Sequence, residues 1–99
     1  MDASEFKSKQ ALDATRETQD LSEREKHLIG MAVTATRGCQ ICTGSRIELA
    51  LQDGIPYESV RAALDLAAAV NAGVVLRTAI AGAEQYNIDE LCSGSECSA

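Results

Sequence analysis

Cys39 and Cys42 stand three residues apart, and Arg46 follows the second cysteine by four residues. Two thiols at this spacing can close and reopen a disulfide. A fixed cation beside one of them favours the thiolate, the form that attacks peroxides and disulfides. Cys39 opens a helical pattern, where free backbone N–H groups and the positive end of the helix dipole favour an anion. Arg46 shares a helix face with Cys42. Arginine stays protonated in a protein and cannot act as a base, whereas a histidine can. The only histidine is His27. Counting back from Gly38 along an antiparallel helical hairpin sets Gly30 opposite Arg46 and His27 opposite Leu49, about one turn from Arg46. On that geometry His27 reaches the thiols directly or through one water, and Gly30 has no side chain to block the approach.

The same residues admit plainer readings. A CxxC is sometimes half of a zinc site. Cys92 and Cys97 are available for the other half, but they are separated by four residues in a small, polar stretch. Closely spaced thiols also hold soft thiophilic ions or metalloids. A histidine on a helix is often only a satisfied polar group. Arg46 has a solvated alternative, or a weak surface pairing with a carboxylate such as Glu23. Cys92 and Cys97 are either spectators or a thiol relay that exchanges with the Cys39–Cys42 disulfide.

The elements that must position these residues read as helices almost throughout. Residues 3–18 are polar with sparse apolar positions (Phe6, Leu12), a weakly anchored helix. Ser22 and Glu25 fit a capping box, N-cap and N3, for a helix whose apolar side carries Leu28, Ile29, Ala32, Val33 and Ala35. Gly38 ends it as a left-handed cap. A second helix runs from about Cys39 to Asp53, closed by Gly54. Pro56 then sits where a third can begin. Val60, Ala63, Leu64, Ala67 and Ala68 repeat at helical spacing. Asn71-Ala72-Gly73 interrupts or kinks the stretch, Val75 to Ala83 continue it, and it fades near Tyr86-Asn87. No segment alternates like a strand, so the fold class is all-α. The organisation is an N-terminal helical segment (1–20), a helical core (21–87) and a flexible cysteine-containing tail (88–99).

Composition bounds the function. The 99 residues suit one domain with one modest core. Three aromatic residues and abundant alanine give little buried area per side chain, which argues for further burial by self-association. The net charge of −6 disfavours nucleic acid and anionic membrane surfaces as partners. No apolar run approaches the roughly 18 residues of a membrane span. The N-terminus lacks the basic and apolar regions of a signal peptide, which points to the cytoplasm. Four cysteines in a short chain there indicate redox chemistry or metal binding rather than a structural framework. The acidic balance, without a basic cluster near the thiols, makes anionic substrates less natural, although Arg46 could anchor one carboxylate.

The string Arg24-Glu25-Lys26-His27-Leu28-Ile29-Gly30-Met31-Ala32-Val33, followed by Gly38-Cys39-Gln40-Ile41-Cys42-Thr43-Gly44-Ser45-Arg46, resembles the carboxymuconolactone decarboxylase-like superfamily, in its alkyl hydroperoxidase D-like branch. The similarity runs through Ala50-Leu51-Gln52-Asp53-Gly54-Ile55 to the alanine-rich segment near Ala83. It implies a helical hairpin carrying CxxC, in trimers or hexamers. The activity it implies is that of a thiol peroxidase or disulfide reductase without an organic cofactor or metal. The substrate would be a small-molecule peroxide or a partner's disulfide, with a dithiol as electron donor. By the same resemblance Cys42 is the attacking thiol and Cys39 the resolving partner. Branches that decarboxylate the lactone lack the cysteine pair, which favours redox chemistry here. Two positions depart from the pattern. Arg46 stands where the family usually has a histidine, and His27 where it usually has a glutamate. The implied site is therefore rearranged, with Arg46 stabilising a thiolate and His27 moving protons; the plainer outcome is a passive disulfide.

Overall fold

A computed structural model describes residues 1–92. The described residues form helices joined by short connections, with no strand among them. A single 3₁₀ turn at Ala3–Glu5 precedes α1 (Ser8–Arg16), so the expected helix over 3–18 is split at Phe6 and Lys7. The chain continues through α2 (Glu23–Thr36), α3 (Gln40–Gln52), α4 (Tyr57–Gln85) and the one-turn α5 (Ile88–Leu91).

Local chemistry sets these boundaries. Ser22 is the N-cap of α2: its Oγ accepts from the Glu25 N–H, and the Glu25 carboxylate accepts from the Ser22 N–H. These two bonds satisfy N–H groups that otherwise have no helical acceptor. The Ser22 backbone N–H, and then its hydroxyl, hold the Glu25 carboxyl below its usual range. Gly38 ends α2 at φ +76°, and Gly54 follows α3 at φ +87°, left-handed conformations that suit glycine. The Ile55 N–H returns to the Ala50 carbonyl oxygen, closing the end of α3.

Two compact units divide the chain, Met1–Leu64 and Asp65–Ala99. In the first, α2 and α3 pack together as the hairpin. Met31, Ala50, Ile55 and Val60 are its buried residues, with Leu28, Ile47 and Leu64 packed against them. Arg24 donates to the Ser59 hydroxyl at 2.9 Å, tying the start of α2 to the start of α4.

The second unit holds the rest of α4 and α5. Of the interruption or kink expected at Asn71-Ala72-Gly73, the interruption does not occur, for α4 is helical through all three residues. The Asn71 amide donates to the Ala67 carbonyl oxygen at 2.9 Å, a bond made within the helix rather than in competition with it. Gly73 costs a helix about 1 kcal/mol relative to alanine, which the surrounding Ala and Leu positions tolerate. Leu66, Val70, Val74, Val75, Leu76 and Ile80 are each more than half exposed. An 18-residue window of α4 has a mean hydropathy of 1.5, so this helix is long and apolar enough to cross a membrane by length and composition. That corrects the expectation of no such stretch: alanines and valines keep the mean high although Asn71, Arg77 and Thr78 break any unbroken apolar run. The core helix of a soluble assembly passes the same test. Of the expected tail, residues 88–92 are described and Cys97 lies outside the described residues.

Candidate functional site

The site is built at the α2–α3 turn. The Cys39 N–H donates to the Thr34 carbonyl oxygen at 3.1 Å, which folds the chain back immediately after Gly38. Cys39 is the N-cap of α3, and its Sγ accepts from the Cys42 N–H at 3.2 Å. A sulfur thus fills the role that a serine or aspartate oxygen usually fills at a helix start. Cys39 and Cys42 are joined in a disulfide with Cα atoms 5.3 Å apart. Cys39 is half-buried and Cys42 is exposed. Ile41, between them, is 86% exposed, so the tip of the hairpin presents an apolar side chain beside the bond.

Two threonines brace this turn, and the sequence analysis did not single them out. The Thr43 hydroxyl donates to the Cys39 carbonyl oxygen at 2.7 Å and lies 3.1 Å from the Thr34 hydroxyl. The Thr34 hydroxyl also lies 3.1 Å from the Met31 carbonyl oxygen. Both threonines are half-buried. A chain of hydroxyls therefore ties the last turn of α2 to the first turn of α3. The signal available in the sequence was a Thr directly after the second cysteine and another five residues before the first, which fall face to face in a hairpin.

Arg46 sits one turn after Cys42, and its guanidinium lies across α2 at Gly30. A Cβ at position 30 would meet Arg46 Nη1 at 2.2 Å and Cζ at 2.8 Å. The expected juxtaposition of Gly30 and Arg46 is therefore present. Glu23 bonds Lys26 rather than Arg46. Among the described residues, no carboxylate lies within ion-pair distance of Arg46.

His27 is placed elsewhere. Its Nε2 lies 2.6 Å from Asp53 Oδ2, joining the first turns of α2 to the C-cap of α3. Asp53 is eleven residues beyond Cys42, about 16 Å along the helix. The structure thus engages His27 with Asp53 at the end of the hairpin remote from the disulfide, and does not bring it to the thiols. Counting residues gave the correct level on α3 within about one turn. It could not show that a carboxylate at the helix end would capture the ring.

Cys92 closes the described part of the chain and is disulfide-bonded. Among the described residues, no group of three or more His, Cys, Asp or Glu side chains is gathered as a metal site. What the hairpin end can do chemically is thiol–disulfide exchange. Cys42 is an exposed residue, and its partner at the N-cap is placed to carry negative charge when the bond opens.

A family model described as the carboxymuconolactone decarboxylase family matches residues 8–85, more than three-quarters of the chain. No curated protein and no solved structure matches.

Proposed function

The chain belongs to the carboxymuconolactone decarboxylase family, and from that premise we propose that it is a thiol-dependent oxidoreductase, a peroxidase or disulfide reductase of the alkyl hydroperoxidase D-like kind. The observation that carries this reading is the Cys39–Cys42 disulfide at the start of α3, with Cys42 exposed and the Cys39 sulfur capping the helix.

In the reduced form, the Cys42 thiolate attacks one oxygen of a hydroperoxide. An S–O bond forms, the O–O bond breaks, and the other oxygen leaves as an alcohol after protonation. Cys39 then attacks the Cys42 sulfur, water leaves, and the disulfide closes. With a disulfide substrate, Cys42 forms the mixed disulfide and Cys39 releases the substrate thiol. A dithiol donor, or two equivalents of a monothiol, returns two electrons. Thr34 and Thr43 position the turn so that both sulfurs stay within bonding reach.

Self-association belongs to the same proposal. A helix that is apolar on every side is stable when other surfaces cover it, and α4 exposes its large apolar side chains. Second copies of this chain, as a trimer or hexamer, are the cover we propose.

Hydroperoxide turnover driven by a dithiol is the test. Cys42→Ser is expected to abolish it. Cys39→Ser is expected to stop the cycle after one turnover, with oxidised Cys42 detectable by mass. Wild-type turnover in Cys42→Ser would refute the assignment.

A further inference from the structure

The chain carries 15 acidic residues, yet none lies between Glu25 and Glu48. That interval contains the second half of α2, the turn with its disulfide, and the first half of α3. Its charged residues are Lys26, which bonds Glu23, and two arginines, Arg37 and Arg46. Within the hairpin, the disulfide end therefore carries Arg37 and Arg46 and no carboxylate. Charges of one sign around a reactive centre raise the local concentration of oppositely charged reactants.

Arg46 adds a specific feature to this field. Arg46 is half-buried, its guanidinium is laid over Gly30 where any side chain would displace it, and it has no carboxylate partner among the described residues. A guanidinium fork recognises carboxylates in a way a point charge does not. Arg46 stands one helical turn from Cys42 on the same face of α3.

Resting on the redox reading above, we infer that the thiol which reopens the Cys39–Cys42 disulfide is an anionic, carboxylate-bearing small thiol, held by Arg46. The thiolate of the reductant attacks the Cys42 Sγ. A new S–S bond joins reductant and Cys42, the Cys42–Cys39 bond breaks, and Cys39 leaves as a thiolate at the N-cap of α3, beside the Cys42 N–H. A second equivalent of the thiol attacks the mixed disulfide and releases the oxidised reductant. Two electrons pass to the protein, and both cysteines end as thiols. The acidic composition had argued against anionic substrates; the distribution of those acids along the chain reverses that argument at this site.

The experiment measures reduction of the oxidised, full-length protein by 3-mercaptopropionate and by its neutral amide, each rate corrected to the same thiolate concentration. Wild type is expected to prefer the carboxylate by roughly three- to tenfold at low ionic strength, and the preference is expected to fall toward one in high salt. Arg46→Gln is expected to lose the preference, and Arg46→Lys to restore part of it. Equal rates for the two reductants in wild type would overturn the inference while leaving the redox reading intact. A disulfide that neither thiol opens would instead overturn the redox reading. A preference that survives Arg46→Gln would move the anion site away from Arg46 and refute the assignment made here.

Discussion

Arg46 occupies the space that a side chain at position 30 would need: an added Cβ on Gly30 would lie 2.2 Å from its Nη1. The glycine is part of the arginine's site rather than a flaw in α2. Gly30→Ala removes a helix-interior glycine, which by itself favours the helix by up to about 1 kcal/mol. The clash falls on the far end of a flexible side chain, which can swing away. The variant is therefore expected to match or exceed wild-type stability in a denaturant titration. Its displaced arginine is expected to show as altered kinetics of disulfide reduction. A loss of several kcal/mol would mean that Arg46 cannot move, contrary to this account.

Thr43 and Thr34 brace the turn that holds both sulfurs. Thr43→Val keeps the volume and leaves the Cys39 carbonyl without this donor. The expected cost is about 1 kcal/mol, the usual net value of such a bond. A double-mutant cycle with Thr34→Val is expected to give coupling of about 0.5–1 kcal/mol, because the two hydroxyls are in contact. Strict additivity would remove the hydroxyl chain from the account of the turn.

The His27–Asp53 pair links the two ends of the hairpin that are remote from the disulfide. Asp53 is largely exposed, so the pair is worth little more than a surface contact, about 0.5–1 kcal/mol. His27→Ala and Asp53→Asn are each expected to lower stability by this amount, with a non-additive double variant. Disulfide-exchange rates in His27→Ala are expected to stay within about twofold of wild type. A rate loss of a hundredfold would restore the proton-transfer role that the sequence suggested and would require the His27–Asp53 bond to open during turnover.

The exposed apolar side chains of α4 predict an assembly larger than one chain. Light scattering is expected to give a trimer or hexamer. A charged substitution at a half-exposed apolar position, such as Val74→Glu, is expected to shift that mass downward while the helix content is kept. A wild-type monomer at high concentration would contradict the proposed cover for α4.

The hairpin was legible because its signals are local. A capping box at Ser22 and Glu25, left-handed glycines at 38 and 54, and apolar residues at helical spacing are each read within a few residues. The Gly30–Arg46 contact was legible because a short turn, Arg37 to Cys39, fixes the register of two antiparallel helices. The rest was not local. The continuity of α4 at Asn71 depends on which acceptor the amide chooses, and it takes the Ala67 carbonyl inside the helix. The partner of His27 was hidden because Asp53, a helix end in sequence terms, competes for the ring with the thiol site. The Thr34–Thr43 contact was overlooked because threonine pairs carry no sequence signature until a hairpin sets them face to face.

The most direct test of the central claim is to poise the protein in a series of dithiol redox buffers, alkylate the free thiols, and count labels at Cys39 and Cys42 by mass. The account predicts that both thiols appear and vanish together, reversibly, and that one equivalent of hydroperoxide or of a small disulfide converts the reduced pair back to the disulfide. Labels that never appear under reducing buffers, or a reduced pair that neither hydroperoxide nor a small disulfide reoxidises, would contradict it.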